Sequence, residues 1–186
     1  FWLKDRSRMA CRADSYRWRM TMPIVRVPPD PRYSAEVVVL LTTLAAKRAE
    51  FNAGKRACDL LEVKRVHHKI LDFNRDARVG GEEAENNVIQ SLLATRRLQS
   101  GENDDLTLPQ VFIDGLLVGG VNELQGLEDD GVLDAMLMRQ ACVACRDGSR
   151  SPGGVQCLSC WEVFEELLPD MMPMERAVRA ALVAGA

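Results

Sequence analysis

Apolar and polar positions alternate in distinct periods along the chain, and the changes of period mark its elements. Val37-Val38-Val39-Leu40-Leu41 is short, continuous and rich in β-branched residues, which predicts a strand covered on both faces. A helical period follows, with Phe51, Ala53, Ala57, Leu60 and Leu61 near one face. Val66, His68 and Ile70 then alternate with their neighbours, predicting a second strand that ends at Asp72. A helix between two strands predicts a parallel pair joined by a right-handed crossover.

After Gly80-Gly81, the acidic Glu82, Glu83 and Glu85 suit the positive end of a helix dipole. Ala84, Val88 and Leu92 supply the body of that helix and Arg96-Arg97 its end, before a polar loop over 100–105. Gln110-Val111-Phe112-Ile113 predicts a third strand. Asp114-Gly115 is a strong two-residue hairpin signal, and Leu116-Leu117-Val118 returns antiparallel. Gly119-Gly120 closes that strand, and Asn122 with Gln125 three positions on predicts a helix cap. Leu124, Leu127, Leu133 and Leu137 line one helix, or two short ones broken near Gly131. The predicted order is β-α-β, α, β-β, α. That is an α/β fold in which a four-stranded mixed sheet has helices on both faces.

Composition refines the boundaries. Apolar residues make up 47% of the 186, enough for one compact domain with tails, and no apolar stretch is long enough to span a bilayer. Lys and Arg number 24 against 27 Asp and Glu, so a net charge of −3 gives no push toward nucleic acid or acidic membranes. Residues 1–35 read as a disordered basic arm ending in a linker with Pro28, Pro29 and Pro31. Residues 36–140 form the sheet domain, 141–161 a cysteine-rich segment and 162–186 a helical tail. After Cys160, Trp161, Phe164, Leu167 and Leu168 suggest a short amphipathic helix, and a further helix is expected from Met174. The chain begins with Phe, so an upstream segment is expected, and a targeting signal with it.

Four of the six cysteines form two Cys-x-x-Cys pairs, Cys142 with Cys145 and Cys157 with Cys160. Two such pairs supply four thiolates in the spacing of a tetrahedral zinc site, across a Gly, Ser and Pro-rich loop that permits tight turns. Free thiols in a flexible tail, or a redox disulfide pair, are the alternatives. A zinc site would make metal binding the folding energy of the tail, and a chelator is expected to melt it while the sheet domain keeps its own core. The cysteine-free stretch between Cys58 and Cys142 argues against a secreted disulfide scaffold and for a reducing, cytoplasmic setting. His67 and His68 would face opposite sides of the second strand, and neither takes a role.

The segment from Leu108-Pro109-Gln110-Val111-Phe112-Ile113-Asp114-Gly115 through Val118-Gly119-Gly120-Val121-Asn122-Glu123-Leu124 to Leu127, Gly131 and Leu133 resembles the C-terminal half of a glutaredoxin. Residues 37–43, closing on Thr42-Thr43, resemble the first glutaredoxin strand, and Arg56, Leu60-Leu61 and the strand to Asp72 follow in register. The resemblance implies a thioredoxin-like fold with a cis peptide before Pro109. It further implies a glutathione platform: the backbone of Leu108 presented to the cysteinyl part, Gly119 and Gly120 allowing close approach, and the helix start at Val121 and Asn122 receiving a carboxylate. Pro109 and the glycines would equally serve the fold alone.

The departure lies after Thr42-Thr43. Where a glutaredoxin places Cys-x-x-Cys or Cys-x-x-Ser at the start of the first helix, this chain has Leu44-Ala45-Ala46-Lys47-Arg48-Ala49-Glu50-Phe51. That insertion resembles the glutaredoxin domain-containing cysteine-rich proteins, a divergent branch with one Cys after a Phe and a Cys-rich tail. Gly54 aligns with that single Cys. Cys58, a turn further on, reads as a small buried hydrophobe. The expected function is a non-catalytic module binding glutathione or a protein partner through its Cys-rich tail. The alternatives are a glutathione-dependent thiol-disulfide oxidoreductase using Cys58 or tail cysteines, and a cytoskeletal scaffold such as animal members of that branch suggest.

Overall fold

The computed structural model describes residues 28–77, 83–101, 106–146, 150–151 and 154–168. The arm before residue 28, Gly80-Gly81, most of the polar loop and the helix expected from Met174 lie outside them. Among the described residues the elements run in order: β1 (Val37–Leu41), α1 (Arg48–Val63), β2 (Lys69–Asp72), α2 (Phe73–Asp76), α3 (Glu83–Ala94), β3 (Gln110–Ile113), β4 (Leu116–Gly119), α4 (Val121–Asp129) and α5 (Leu133–Leu137). The sheet order is β2-β1-β3-β4, with β1 and β2 parallel and the other pairs antiparallel. This is the mixed sheet of a thioredoxin-like fold, and a cis peptide joins Leu108 to Pro109.

Burial explains why β1 is apolar at every position. Val37, Val39 and Leu41 pack with Ala57, Leu61, Val111, Ile113, Leu124 and Leu133 on one face. Val38 and Leu40 pack with Leu71, Ile89, Leu92 and Phe112 on the other. A strand with no solvent face has no place for alternation. On α1 the buried residues are Gly54, Ala57, Cys58 and Leu61, spaced i, i+3, i+4, i+7. Phe51, expected on that face, is exposed. It lies in the first turn, three residues before Gly54, the first buried position of the helix.

Several expected boundaries move. β2 begins at Lys69, so His67 and His68 precede it, and His68 Nδ1 sits 2.9 Å from the Val66 carbonyl. The short α2 was not foreseen. Asp72 caps it by accepting from Asn74 N–H at 3.0 Å, and the same carboxylate accepts from Thr43 N–H at 3.2 Å and from the Thr43 hydroxyl. The last apolar stretch is two helices, α4 and α5, parted at Gly131, whose φ of +70° suits glycine. Trp161, Phe164, Leu167 and Leu168 form no helix. Their backbone is committed elsewhere: Phe164 N–H donates to the Val155 carbonyl at 2.8 Å, and Leu167 and Leu168 N–H to the Glu36 carboxylate at 2.8 and 2.6 Å. No helix among the described residues is long and apolar enough to cross a membrane.

Two carboxylates fasten the edges of this core. Lys64 Nζ lies 2.6 Å from Asp134 and Tyr33 donates to Asp134 at 2.9 Å, and the Lys64 hydrogen bond leads in holding that carboxyl below its ordinary range. Asp30, gripped by the Arg32 guanidinium, is lowered to about 2. Folded pKa values below the unfolded 3.8 mean stabilisation that is complete above that value and lost as pH falls through it toward the folded value. Urea midpoints are therefore expected to drop between about pH 4 and about pH 2. Lys64→Met should shrink the drop. An equal drop in that variant would remove Asp134 from the account.

Candidate functional site

Two features stand out: a four-cysteine knuckle packed on the sheet, and an open groove beside the cis proline.

The knuckle is built from two copies of one turn. After α5, Arg146 N–H donates to the Cys142 carbonyl at 2.9 Å; in the second copy Trp161 N–H donates to the Cys157 carbonyl at 3.1 Å. The residue closing each turn is left-handed, Arg146 at φ +60° and Trp161 at φ +66°. Each turn curls its backbone N–H groups toward its first sulfur. Ser159 and Cys160 N–H reach Cys157 Sγ at 3.3 and 3.5 Å. Ala144 and Cys145 N–H do the same for Cys142.

The two turns face each other. Cys142 Sγ lies 3.6 Å from Cys160 Sγ, and Cys145 Sγ 3.8 Å from Cys157 Sγ. All four sulfurs fall within 4.8 Å of one another. A zinc ion bound tetrahedrally at about 2.3 Å sets sulfurs about 3.8 Å apart, so the geometry fits such an ion. Cys142 and Cys157 are buried, Cys145 and Cys160 exposed. Burial leads in pushing the Cys142 thiol up to about 12, while the Cys160 backbone N–H leads in bringing Cys157 down to about 6. Where four sulfurs crowd together, they cannot all ionise without a cation among them.

Three charged residues that sequence reasoning did not assign hold the knuckle down. Asp114, in the β3–β4 turn, is fully buried. Its carboxylate accepts from Arg139 Nη2 at 2.7 Å, Arg139 Nε at 3.0 Å and Glu36 N–H at 2.9 Å, and it pairs with Arg150 Nη1. The Arg150 guanidinium also lies 3.7 Å from the centre of the Phe164 ring. Gly115 leaves room for the incoming segment: a Cβ there would stand 1.9 Å from the Glu165 carbonyl oxygen. Cys142, Val143, Cys157 and Phe164 share one apolar cluster with Val37, Ile113 and Leu133. The partners of Asp114 lie 25, 36 and 78 residues away along the chain, beyond any local sequence signal.

The groove has a volume of about 480 Å³ and is lined by Thr42, Leu44, Lys47, Glu50, Phe73, Asn74, Ala77, Leu106 and Leu108. Of the six residues expected to form the platform, only Leu108 lines it. Pro109, Gly119 and Gly120 come together at the start of α4, where a Cβ on Gly120 would lie 3.4 Å from the Pro109 carbonyl oxygen. Val121 is buried and Asn122 exposed. The expected Asn122 cap is instead Gly120 with Glu123: the Glu123 carboxylate accepts from Gly120 N–H at 2.9 Å. It occupies the helix end that an outside carboxylate would use. Gly119, at φ +128°, makes room for it, since a Cβ there would meet Glu123 Cγ at 2.8 Å.

Among the described residues, no cysteine lines the groove. Gly54 lies inside α1 with a virtual Cβ 3.2 Å from Leu41 Cβ, on the sheet side of the helix. The residues at the groove that stand before or within the first turn of α1 are Thr42, Leu44, Lys47 and Glu50. Cys58 lies on the buried face of α1, in the core.

No family model and no curated protein sequence matches the chain. Among solved structures it is similar to buckwheat glutaredoxin in complex with glutathione, at 22% identity over 57% of this chain and 79% of that one, with a TM-score of 0.37. It is also similar to a dithiolic glutaredoxin from Trypanosoma brucei brucei, at 19% identity over 57% and 90%, TM-score 0.38. Glutaredoxin 1 from Francisella tularensis, complexed with cacodylate, matches at 15% identity over 53% and 96%, TM-score 0.33.

Proposed function

We propose that this chain is a non-catalytic glutaredoxin-fold module of a reducing, cytoplasmic compartment. It binds glutathione or a protein partner and is stabilised by zinc at Cys142, Cys145, Cys157 and Cys160. The convergence of four sulfurs within 4.8 Å carries the metal part of this reading. Zinc there neutralises thiolates that would otherwise repel, and the inward N–H groups of both turns hold the sulfurs for it.

A groove lining without a thiol among the described residues supports a non-catalytic role. Thiol transfer requires an accessible, ionised sulfur at the ligand. Cys58 is buried away from the groove, and the remaining described thiols belong to the knuckle. The test is a thiol-transfer assay on a glutathione mixed disulfide, paired with metal analysis of the purified protein. One zinc per chain with no turnover above background is expected. Turnover that persists after removal of the Cys-rich tail would return the oxidoreductase reading.

Glutathione, on this reading, meets a partly self-filled site. Its carboxylate would compete with Glu123 for the Gly120 N–H. Glu123→Ala frees that donor and removes a like charge. A charge-assisted hydrogen bond is worth about 1.5–3 kcal/mol, so roughly tenfold tighter binding by calorimetry is expected. The variant should lose about 1 kcal/mol of stability with its cap. Unchanged affinity would place glutathione elsewhere or nowhere.

A protein partner is favoured by the knuckle's outer surface, where Val155, Leu158, Trp161 and Val163 are exposed. The Trp161 carbonyl accepts from Gln156 Nε2 at 3.2 Å and its N–H is bonded to Cys157, so the indole is presented from a fixed backbone.

A further inference from the structure

The knuckle and the sheet share one core, and their charged contacts form a single chain of groups. Arg150 is the bridge partner of the ligand Cys157, and Arg139 stands three residues before the ligand Cys142. Both guanidinium groups converge on Asp114, in side chains only 2% and 6% exposed around a carboxylate at 0%. Arg150 brings more donors than that carboxylate takes: its Nε and Nη2 are buried as well, with no acceptor among the described residues. A zinc ion held by four thiolates carries a net charge of about −2, opposite in sign to the two arginines whose backbones adjoin the cysteine turns. From Asp114 the path continues into the sheet. Asp114 accepts from Glu36 N–H and donates its own N–H to the Glu36 carbonyl at 2.9 Å. The Glu36 side chain then receives the N–H groups of Leu167 and Leu168. Glu36 adjoins β1, a central strand, and Asp114 closes β3.

We propose that metal binding at the four-cysteine site latches the sheet as well as the knuckle, with Arg150 and Arg139 as positioning residues that transmit it to Asp114 and Glu36. This rests on zinc occupancy of the four cysteines, and it replaces the expectation that removing the metal melts the tail alone. The metal becomes a ligand of the whole domain. Ordering the two cysteine turns fixes Arg150, the bridge partner of Cys157, and Arg139, which leads into Cys142; the arginines fix the β3–β4 turn, and the turn with Glu36 fixes the far end of the segment that carries the second cysteine pair. The groove residue Leu108 and the anchor Asp114 stand just before and just after β3, so the coupling spans one short strand.

The test is hydrogen–deuterium exchange with mass spectrometry on the full chain, kept reduced, freed of metal by a chelator and then given one equivalent of zinc. Bound zinc is counted by native mass spectrometry. The expected result is slower exchange in the knuckle peptides and, by about tenfold or more, in the peptides of β1 and the β3–β4 hairpin. Arg150→Met should still bind one zinc and still protect the knuckle, while the hairpin response largely disappears. Arg150→Lys, which keeps the charge without the two-pronged geometry, should fall between. Zinc bound in the wild-type chain with the knuckle protected and the sheet unchanged would overturn the latch and leave the zinc reading intact. No zinc bound would remove the zinc reading and the latch with it. The wild-type comparison decides the matter even if the Arg150 variants fail to fold.

Discussion

Asp114→Ala is expected to destabilise the protein by about 3–5 kcal/mol, because it takes from two buried guanidinium groups the carboxylate they share. Arg139 and Arg150 both point at Asp114, and neither can swing into water without unpacking Phe164 or the start of the knuckle. The backbone adds a smaller cost. Asp114 sits at φ +46°, a left-handed conformation that alanine tolerates less well than aspartate. Asp114→Asn separates the two effects, since it keeps an oxygen for the Glu36 N–H and suits the turn but removes the charge. It should lie between wild type and alanine. By thermal unfolding, the alanine variant should melt at least about 10 °C lower. The double variant Asp114→Ala with Arg150→Met should lose less than the sum of the two, because the second change removes a charge the first orphaned. Full additivity would mean that the buried pair makes no coupled contribution.

The second large effect concerns the four cysteines proposed to hold zinc. Cys157→Ser is expected to abolish stoichiometric zinc binding, with Cys142→Ser close behind. Both sulfurs are buried and receive backbone N–H groups shaped for a thiolate. Structural zinc binds with an apparent free energy of about 10–16 kcal/mol near neutral pH, and most of that depends on four ligands acting together. The knuckle should then lose its fixed structure, read as lost near-ultraviolet dichroism from Trp161 and as zinc passing through gel filtration apart from the protein. Cys58→Ser is the control. It places a hydroxyl in the core at a cost of about 1–3 kcal/mol and should leave zinc content at one per chain. If Cys157→Ser protein retains a full equivalent of zinc, the four sulfurs are not the site.

The order of strands was legible because each signal was local. Val37–Leu41 is apolar throughout because both its faces are covered, and Asp114-Gly115 turns the hairpin because both residues take positive φ, at +46° and +76°. The sulfur cluster was legible from spacing, since two Cys-x-x-Cys turns are nearly self-contained. What resisted reading depended on distant partners. Trp161, Phe164, Leu167 and Leu168 carry a helix-like period, yet long-range hydrogen bonds to Glu36 and Val155 hold them out of a helix. Arg150 stood in a basic stretch that could favour thiolates or simply keep the loop soluble, and only folding puts it against Asp114. Asn122 had the chemistry of a cap. The bare backbone of Gly120 took that position because Glu123 reaches back to it.

The contact between Gly54 and Leu41 bears on any attempt to engineer redox chemistry into this scaffold. Position 54 is where alignment would put a lone nucleophile, yet it faces the sheet with a strand side chain 3.2 Å from its virtual Cβ. A thiol introduced there would push α1 off β1 and, shut away from water and from the groove, would remain protonated. Leu44 and Lys47 are the better starting points. Both line the groove alongside Leu108, and Lys47 stands at the N-cap of α1, where no side chain holds the helix N–H groups. A cysteine at position 47 would inherit the positive end of a 16-residue helix, the setting in which a sulfur ionises and attacks. A working nucleophile has to be built about two helical turns upstream of the place its sequence signature indicates.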